Sequence, residues 1–256
     1  MGRDYQHGFS DKSTAMFNIS QRQRKAKTMV AVLRDYIGQD LNQFTVLNVG
    51  GSSGIIDDYL SGYFGKVIGI DIDEKAISYA KENFKKDNLV FEVGDAMDIH
   101  YDSNVFDFVI CSQVYEHVPS AEIMMDEIFR VLKPGGVCYF AAGNRLMLND
   151  PHYNLPLLSV MPRYLAHIYL RAARKGTYYY EKHLSYWGLK KLVNHFEMTD
   201  YTKAIILSPE NFNAEYMIRP NTIKHQIALL LAKHCMWLVP GYIWLLKKPN
   251  KQSKRG

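Results

Sequence analysis

The sequence predicts an α/β fold, a mostly parallel sheet with helices on both faces. Three observations carry this. Short apolar runs alternate with segments of helical period along most of the chain. The runs are continuous rather than alternating with polar residues, as expected of strands buried on both faces. A glycine-rich turn, GGSSG at Gly50–Gly54, follows the first run, where such sheets open a ligand crevice.

Gln21 to Ile37 reads as a helix, with Met29, Val32, Leu33 and Tyr36 at helical spacing and Gly38 as its stop. Phe44 to Val49 is the first strand and about Gly54 to Tyr63 the next helix. KVIGID (Lys66–Asp71) is the second strand, and Asp73 to Lys86 a helix with Ala76, Ile77, Ala80 and Phe84 on one face. Leu89–Val93 and Val105–Cys111 are the third and fourth strands. Pro119 to Leu132 is a helix with proline in its first turn. KPGG turns the chain into a fifth strand, Gly136–Ala142.

The rhythm then breaks. Residues 144–184 are too long for a simple connection, and Leu157 to Lys175 within them reads as helical. SYWGLKKLVNHF resumes as a helix with Ser185 as N-cap. TKAIIL (Thr202–Leu207) reads as a sixth strand, 208–239 as a second insertion, and Gly241–Lys248 as the last strand. The first 20 residues read as loosely structured. This organisation gives a helical cap over 1–43 and one domain over 44–256, with 144–184 as a lid over the acceptor.

The chain has 256 residues, 47% of them hydrophobic, enough for a sizeable core. Its three cysteines lack metal or redox spacing, and its N-terminus lacks an apolar secretory segment, so a cytoplasmic protein is expected. No metal-ligand set is read from the sequence. The net charge of +5 divides unevenly: residues 1–143 carry 14 basic and 20 acidic side chains, and residues 144–256 carry 17 and 6. A basic second half suits an anionic substrate, a membrane surface or nucleic acid. Arg22, Arg24, Lys25 and Lys27 cluster on the first helix without an aromatic platform, which reads as a solvated face and makes nucleic acid an unlikely partner.

Four features recur in order: a glycine loop after strand one, Asp71 ending strand two, Asp95 just past strand three, and a polar turn at Gln113 after strand four. A carboxylate at Asp71 can accept from both hydroxyls of a ribose while the glycine loop approaches the rest of a nucleotide. The segments VLNVGGSSG, VIGIDID, GDAMDI, FDFVICSQVYEHV and VLKPGGVCYF, together covering roughly 44–142, resemble the class I S-adenosylmethionine-dependent methyltransferases, especially their type 11, small-molecule branch. The resemblance implies a Rossmann-like, mostly parallel seven-stranded sheet with a helical insertion after strand five, and S-adenosylmethionine as cofactor. It implies Asn48, Gly50, Gly51 and Gly54 beside the methionine part, Asp71 on the ribose, Ile72 flanking the adenine, Asp95 and Ala96 at its edge, and Gln113 at the transfer site. The sequence departs from the family loop, roughly Asp-Val-Gly-Cys-Gly-Thr-Gly, with Asn48 in place of the acid and Ser52 in place of the central glycine. GGSSG does not match the G-x-G-x-x-G of a dinucleotide site.

Methyl transfer from a sulfonium is an in-line displacement, and an oxygen acceptor also loses a proton. His117, His152 and His183 are the candidate bases, and Tyr178, Tyr179 and Tyr180 candidate pocket walls. The expected activity is O-methylation of a small-molecule, glycosylated or lipid-linked acceptor, at the inner face of a membrane if the basic, apolar insertion makes peripheral contact. An RNA or protein methyltransferase, and a non-catalytic binding module with the same fold, are the alternatives. Ile227 to Leu246 is apolar, but Lys233, His234, Pro240 and Gly241 argue against a membrane span.

Overall fold

The computed structural model describes residues 4–12 and 14–250. Seven strands form the main sheet: β1 (Thr45–Val49), β2 (Lys66–Asp71), β3 (Leu89–Val93), β4 (Phe106–Ser112), β5 (Leu132–Gly143), β6 (Glu197–Asp200) and β7 (Gly241–Lys247). Their order is β3-β2-β1-β4-β5-β7-β6. β1 to β5 pair in parallel, and β7 enters antiparallel between β5 and β6. The order turns about at β1 and β4, where Val49 pairs with Ile70 on one side and Cys111 on the other. Chains leaving β1 and β4 there diverge and leave a crevice at the carboxyl end of the sheet.

Alternate residues of the inner strands feed two separate cores. Val46, Val67, Phe108 and Ile110 point to one face, with α1 (Ile19–Ile37), α2 (Ile55–Leu60) and α3 (Glu74–Asn83). Leu47, Ile68, Val109 and Cys111 point to the other, with α4 (Ala121–Val131) and α6 (Tyr186–Leu192). Both faces are thus dry, which is why the strands read as unbroken apolar runs.

Helix ends follow local chemistry. Asn18 Oδ1 accepts from Gln21 N–H at 3.0 Å to start α1, and Gly38, at φ 68°, ends it with its N–H on Arg34 O at 2.9 Å. Ser185 Oγ accepts from Gly188 N–H at 3.3 Å and caps α6, as the sequence indicates.

The chain differs from expectation in its last third. TKAIIL is not a strand but a helix, α7 (Thr202–Leu207), whose buried Thr202, Ile205 and Ile206 stand at i, i+3 and i+4. Asp200 Oδ1 accepts from Thr202 N–H at 2.8 Å where the helix begins. The sixth strand is the preceding EMTD, a short edge strand held only by β7. The segment 208–239 folds as a 3-10 turn, Pro209–Phe212, then α8 (Ile223–His234) and a second 3-10 turn, Met236–Leu238. The first 20 residues are expected to be loose, but those of them that are described form short helical turns at Asp4–His7, Phe9–Lys12 and Thr14–Phe17, with 1–3 and 13 outside the described residues.

The 144–184 segment folds as a two-stranded ribbon (Asn149–Asp150 with Leu155–Pro156), a 3-10 turn (Leu158–Val160) and α5 (Arg163–Ala172). Leu155, Leu158, Ala166, Leu170 and Tyr179 give it a small core of its own. Asn144 pins its base, donating from Nδ2 to Trp237 O and Val239 O, each at 2.8 Å. No helix among the described residues is long and apolar enough to cross a membrane.

Candidate active site

Gly50 N–H and Gly51 N–H both donate to Ile70 O at 2.9 Å, which folds the loop back over β2. Ser52 N–H donates to Asp71 Oδ2 at 2.9 Å, and Asp73 N–H to Asp71 Oδ1 at 3.0 Å. The carboxylate ending β2 therefore clasps the loop as well as facing the crevice. Burial pushes the Asp71 carboxyl up; the Asp73 and Ser52 amides and Arg22 pull it back, and the net is raised.

The glycines are needed for reasons other than ligand approach. A Cβ on Gly54, which sits at φ 76°, would lie 2.7 Å from both Ala80 Cβ and the Phe91 ring. A Cβ on Gly51 would meet Asp57 Oδ2 at 3.0 Å, and one on Gly69 would meet Asp57 Cγ at 3.0 Å. Asp57, in the first turn of α2, is fully buried between those two glycines. Neither of its oxygens makes a hydrogen bond of good geometry, and burial pushes its carboxyl up to about 7, with the Asn48 amide drawing it back. Asn48 thus complements Asp57 beneath the loop: an acid at 48 would set a second carboxylate against the first.

Ser52 adopts φ 57° and Gln113 φ 58°, left-handed conformations that non-glycine residues rarely hold, and both line the crevice. The backbone at 52 accordingly takes the shape a glycine would give. Arg22 Nη2 donates to Ser52 Oγ at 3.3 Å, so the serine also anchors α1 over the loop. Arg22 and Lys25 line the cavity, Arg22 half-buried with its pKa lowered by burial and Lys25 exposed to solvent. The reading of the α1 cations as a solvated face is corrected for Arg22, which α1 turns into the crevice beside Ser52 and Asp71, while Lys25 lines the cavity but stays exposed. No spacing in the sequence shows which face of α1 meets the loop.

The cavity measures about 1160 Å³ and runs from the glycine loop to the lid. Gly50, Asp71, Ile72, Asp95, Ala96 and Gln113 line it as expected. Asn48, Gly51 and Gly54 do not; they shape the loop from behind. The residues fit S-adenosylmethionine: the Asp71 carboxylate for ribose hydroxyls, apolar Ile72 and Ala96 beside Asp95 for adenine, and cations at Arg22 and Lys25 for the amino-acid carboxylate. The N-terminal segment lies along the cavity, Ser10 N–H donating to Asp73 Oδ2 at 2.7 Å near the loop and Gln6 Nε2 to His117 O at 2.9 Å toward the lid.

At the other end the three histidines meet. His117 and His152 line the cavity with rings edge-to-face at 4.8 Å, while His183 is buried behind them, its ring 6.0 Å from that of His152. Asp150 Oδ1 stands 3.4 Å from His152 Nδ1, and Asp150 Oδ2 accepts from Tyr179 O–H at 2.6 Å. Glu116 is wholly buried, and Glu181 Oε1 lies 3.9 Å from His117 Nδ1. Burial, with the neighbouring His152 and His183, holds His117 down at about 3. Burial, with His152, likewise lowers His183 to about 4 despite Asp150. Burial lowers His152 too, but the Asp150 hydrogen bond and the Glu181 and Glu116 charges outweigh it, so its net shift is upward. Tyr178 and Tyr180 line the cavity; Tyr179 is structural. Cys111 is buried in the core, its thiol pushed up by burial and then by Glu116, and is no nucleophile.

Comparison with known proteins agrees with this geometry. Residues 47–140 match the family described as "Methyltransferase domain". The ubiquinone biosynthesis O-methyltransferase of Coxiella burnetii (strain Dugway 5J108-111) is 28% identical over 141 residues, 54% of this chain and 60% of that protein's length. The demethylmenaquinone methyltransferase of Lactococcus lactis subsp. lactis (strain IL1403) is 30% identical over 174 residues, 64% of this chain and 66% of that one. Among solved structures, the plantazolicin methyltransferase BpumL, in complex with a monoazolic desmethylPZN analog and SAH, superposes with a TM-score of 0.60 at 16% identity, covering 95% of this chain and 93% of its own. That likeness concerns the fold; the sequence matches and the loop, acid and crevice geometry concern the family. Residues 47–140 thus carry a methyltransferase domain of the type 11 family, set in the fold of the class I S-adenosylmethionine-dependent methyltransferases.

Proposed function

We propose that the protein transfers a methyl group from S-adenosylmethionine to an oxygen of an amphipathic small molecule, lipid-linked or glycosylated. The observation that carries this is the single cavity that joins the glycine loop and Asp71 to the His117–His152 wall under the lid. The cofactor supplies a methyl on a sulfonium, with a neutral thioether as leaving group. Arg22, Lys25 and Asp71 hold it in one orientation. Gln113 also lines the cavity, and the acceptor hydroxyl faces the histidine wall, into which its proton passes. The lid and the N-terminal segment exclude water, which favours the displacement over side reactions.

The exposed side of the lid supports the lipid-linked class. Tyr164, Leu165 and Ile168 of α5 are exposed, as are Leu148, Leu157 and Val160 beside it. The segment's two acids, Asp150 and Glu181, are buried, whereas Arg145, Arg171, Arg174, Lys175 and Lys182 are exposed, so the charge it shows to solvent is basic. An apolar surface with a basic fringe suits the boundary of an anionic bilayer. The relatives named for ubiquinone biosynthesis and demethylmenaquinone point to the same acceptor class.

The test is transfer of labelled methyl from S-adenosylmethionine into fractions of a cell extract. Label in the organic, lipid-containing phase is expected. Label confined to RNA or protein would overturn the acceptor class, and no transfer into any fraction would overturn the activity.

A further inference from the structure

Three acid–histidine pairs lie far apart in sequence: Glu116–His117 after β4, Asp150 and His152 in the lid ribbon, and Glu181 and His183 in the segment returning to α6. The fold brings all three together. One donor atom from each of Glu116, His117 and His152 lies within 4.8 Å of the others, and the same holds for Asp150, His152 and His183. Imidazoles and carboxylates at such separations need only small side-chain rotations to share one ion at about 2.0–2.2 Å.

The electrostatics point the same way. Glu116 and Asp150 are wholly buried, and neither forms an ion pair with a lysine or arginine among the described residues. Both oxygens of Glu116 and both ring nitrogens of His183 lack a hydrogen-bond partner. Buried carboxylates are ordinarily paired with a cation or coordinate a metal, and buried donor and acceptor atoms ordinarily find partners. Asp150 is already engaged by Tyr179 O–H and His152 N–H, whereas the backbone contact of Glu116 is with its own amide, short of good hydrogen-bond geometry.

We propose that this nest binds one divalent transition-metal ion through Glu116, His117 and His152, with Asp150 holding the His152 ring in position. Mixed imidazole and carboxylate donors suit zinc, manganese, iron(II) or cobalt(II) rather than the all-oxygen shells of calcium and magnesium. Since His117 and His152 line the cavity, the ion sits in its wall, where an acceptor oxygen can reach it. A hydroxyl drawn to the ion gives up its proton more readily, the proton passing to the Glu181 carboxylate, which lines the same wall outside the ion's ligand set, and this narrows the acceptor to one with a metal-binding oxygen. That role rests on the methyl-transfer reading; binding of the ion does not.

The test uses the whole protein, stripped with a chelator and titrated with Zn2+ and Co2+ alone, by calorimetry and visible absorption. One equivalent per chain is expected, with intense cobalt d–d bands of low coordination number. Glu116→Gln and His152→Ala, checked for folding by circular dichroism, are each expected to weaken binding by at least about tenfold. The proton NMR spectrum of the cobalt form of the unsubstituted protein needs no variant: shifted, exchangeable imidazole N–H signals are expected. Absence of saturable binding by folded protein, absence of those signals, or wild-type affinity in both variants would overturn the proposal. Metal binding without methyl transfer would leave it standing and count against the proposed function alone.

Discussion

Replacing Asp57 by Asn tests how the departure at Asn48 is accommodated. Burial between Gly51 and Gly69 raises the Asp57 carboxyl from an ordinary 3.8 to about 7. Between those pH values the folded chain keeps a proton that the unfolded chain has released, so this group makes stability fall as pH rises and flatten above 7. Full ionisation destabilises the fold by about 4 kcal/mol, of which roughly 2–3 kcal/mol is lost between about pH 5 and pH 8. The amide of Asp57→Asn keeps the shape, can still accept from Asn48, and does not titrate. Urea unfolding of both proteins at the two pH values is the assay. The stability of the variant relative to wild type is expected to rise by about 2–3 kcal/mol from the lower pH to the higher. Asn48→Asp, which restores the acid of the family loop, is expected to destabilise wild type at the higher pH and to be tolerated beside Asp57→Asn. Equal pH slopes in wild type and Asp57→Asn would refute the reasoning.

Other consequences follow from the same geometry. Arg22→Met removes the cation beside Ser52 and is expected to raise the dissociation constant for S-adenosylmethionine roughly tenfold or more, the worth of about 1.5–3 kcal/mol for a hydrogen bond to a charged group; calorimetry checks it. Gly54→Ala sets a Cβ 2.7 Å from Ala80 and Phe91 at a positive φ, and is expected to cost about 1–3 kcal/mol or more in urea unfolding. Leu165→Glu with Ile168→Glu, both on the exposed side of α5, is expected to abolish flotation with anionic vesicles while leaving cofactor affinity unchanged.

The sheet was legible because β1, β2 and β4 are buried on both faces and so read as continuous apolar runs. TKAIIL misled for the same reason: six residues suit a strand or one and a half turns of helix, and only packing on both sides of the sheet edge decides. EMTD was missed because an edge strand held by one neighbour needs no apolar run. Asp71, Asp95 and Gln113 were readable because strand ends fix where they stand. Arg22 and Lys25 were not, because the inward face of α1 depends on where it docks. The three histidines were each visible, but that they meet, and meet three carboxylates, depends on how the lid folds back over β4. Asp57 carried no signal beyond its place in a first helical turn, where an acid is ordinary.

The central claim is that GGSSG and Asp71 form one cofactor site. Titrating the protein with S-adenosylmethionine by calorimetry, beside Asp71→Ala, tests it most directly. Saturable binding to wild type is predicted, weakened at least about tenfold in the variant, which loses the carboxylate for the ribose and the anchor of Ser52 N–H together. No binding by well-folded wild type, or equal binding by both proteins, would contradict the account.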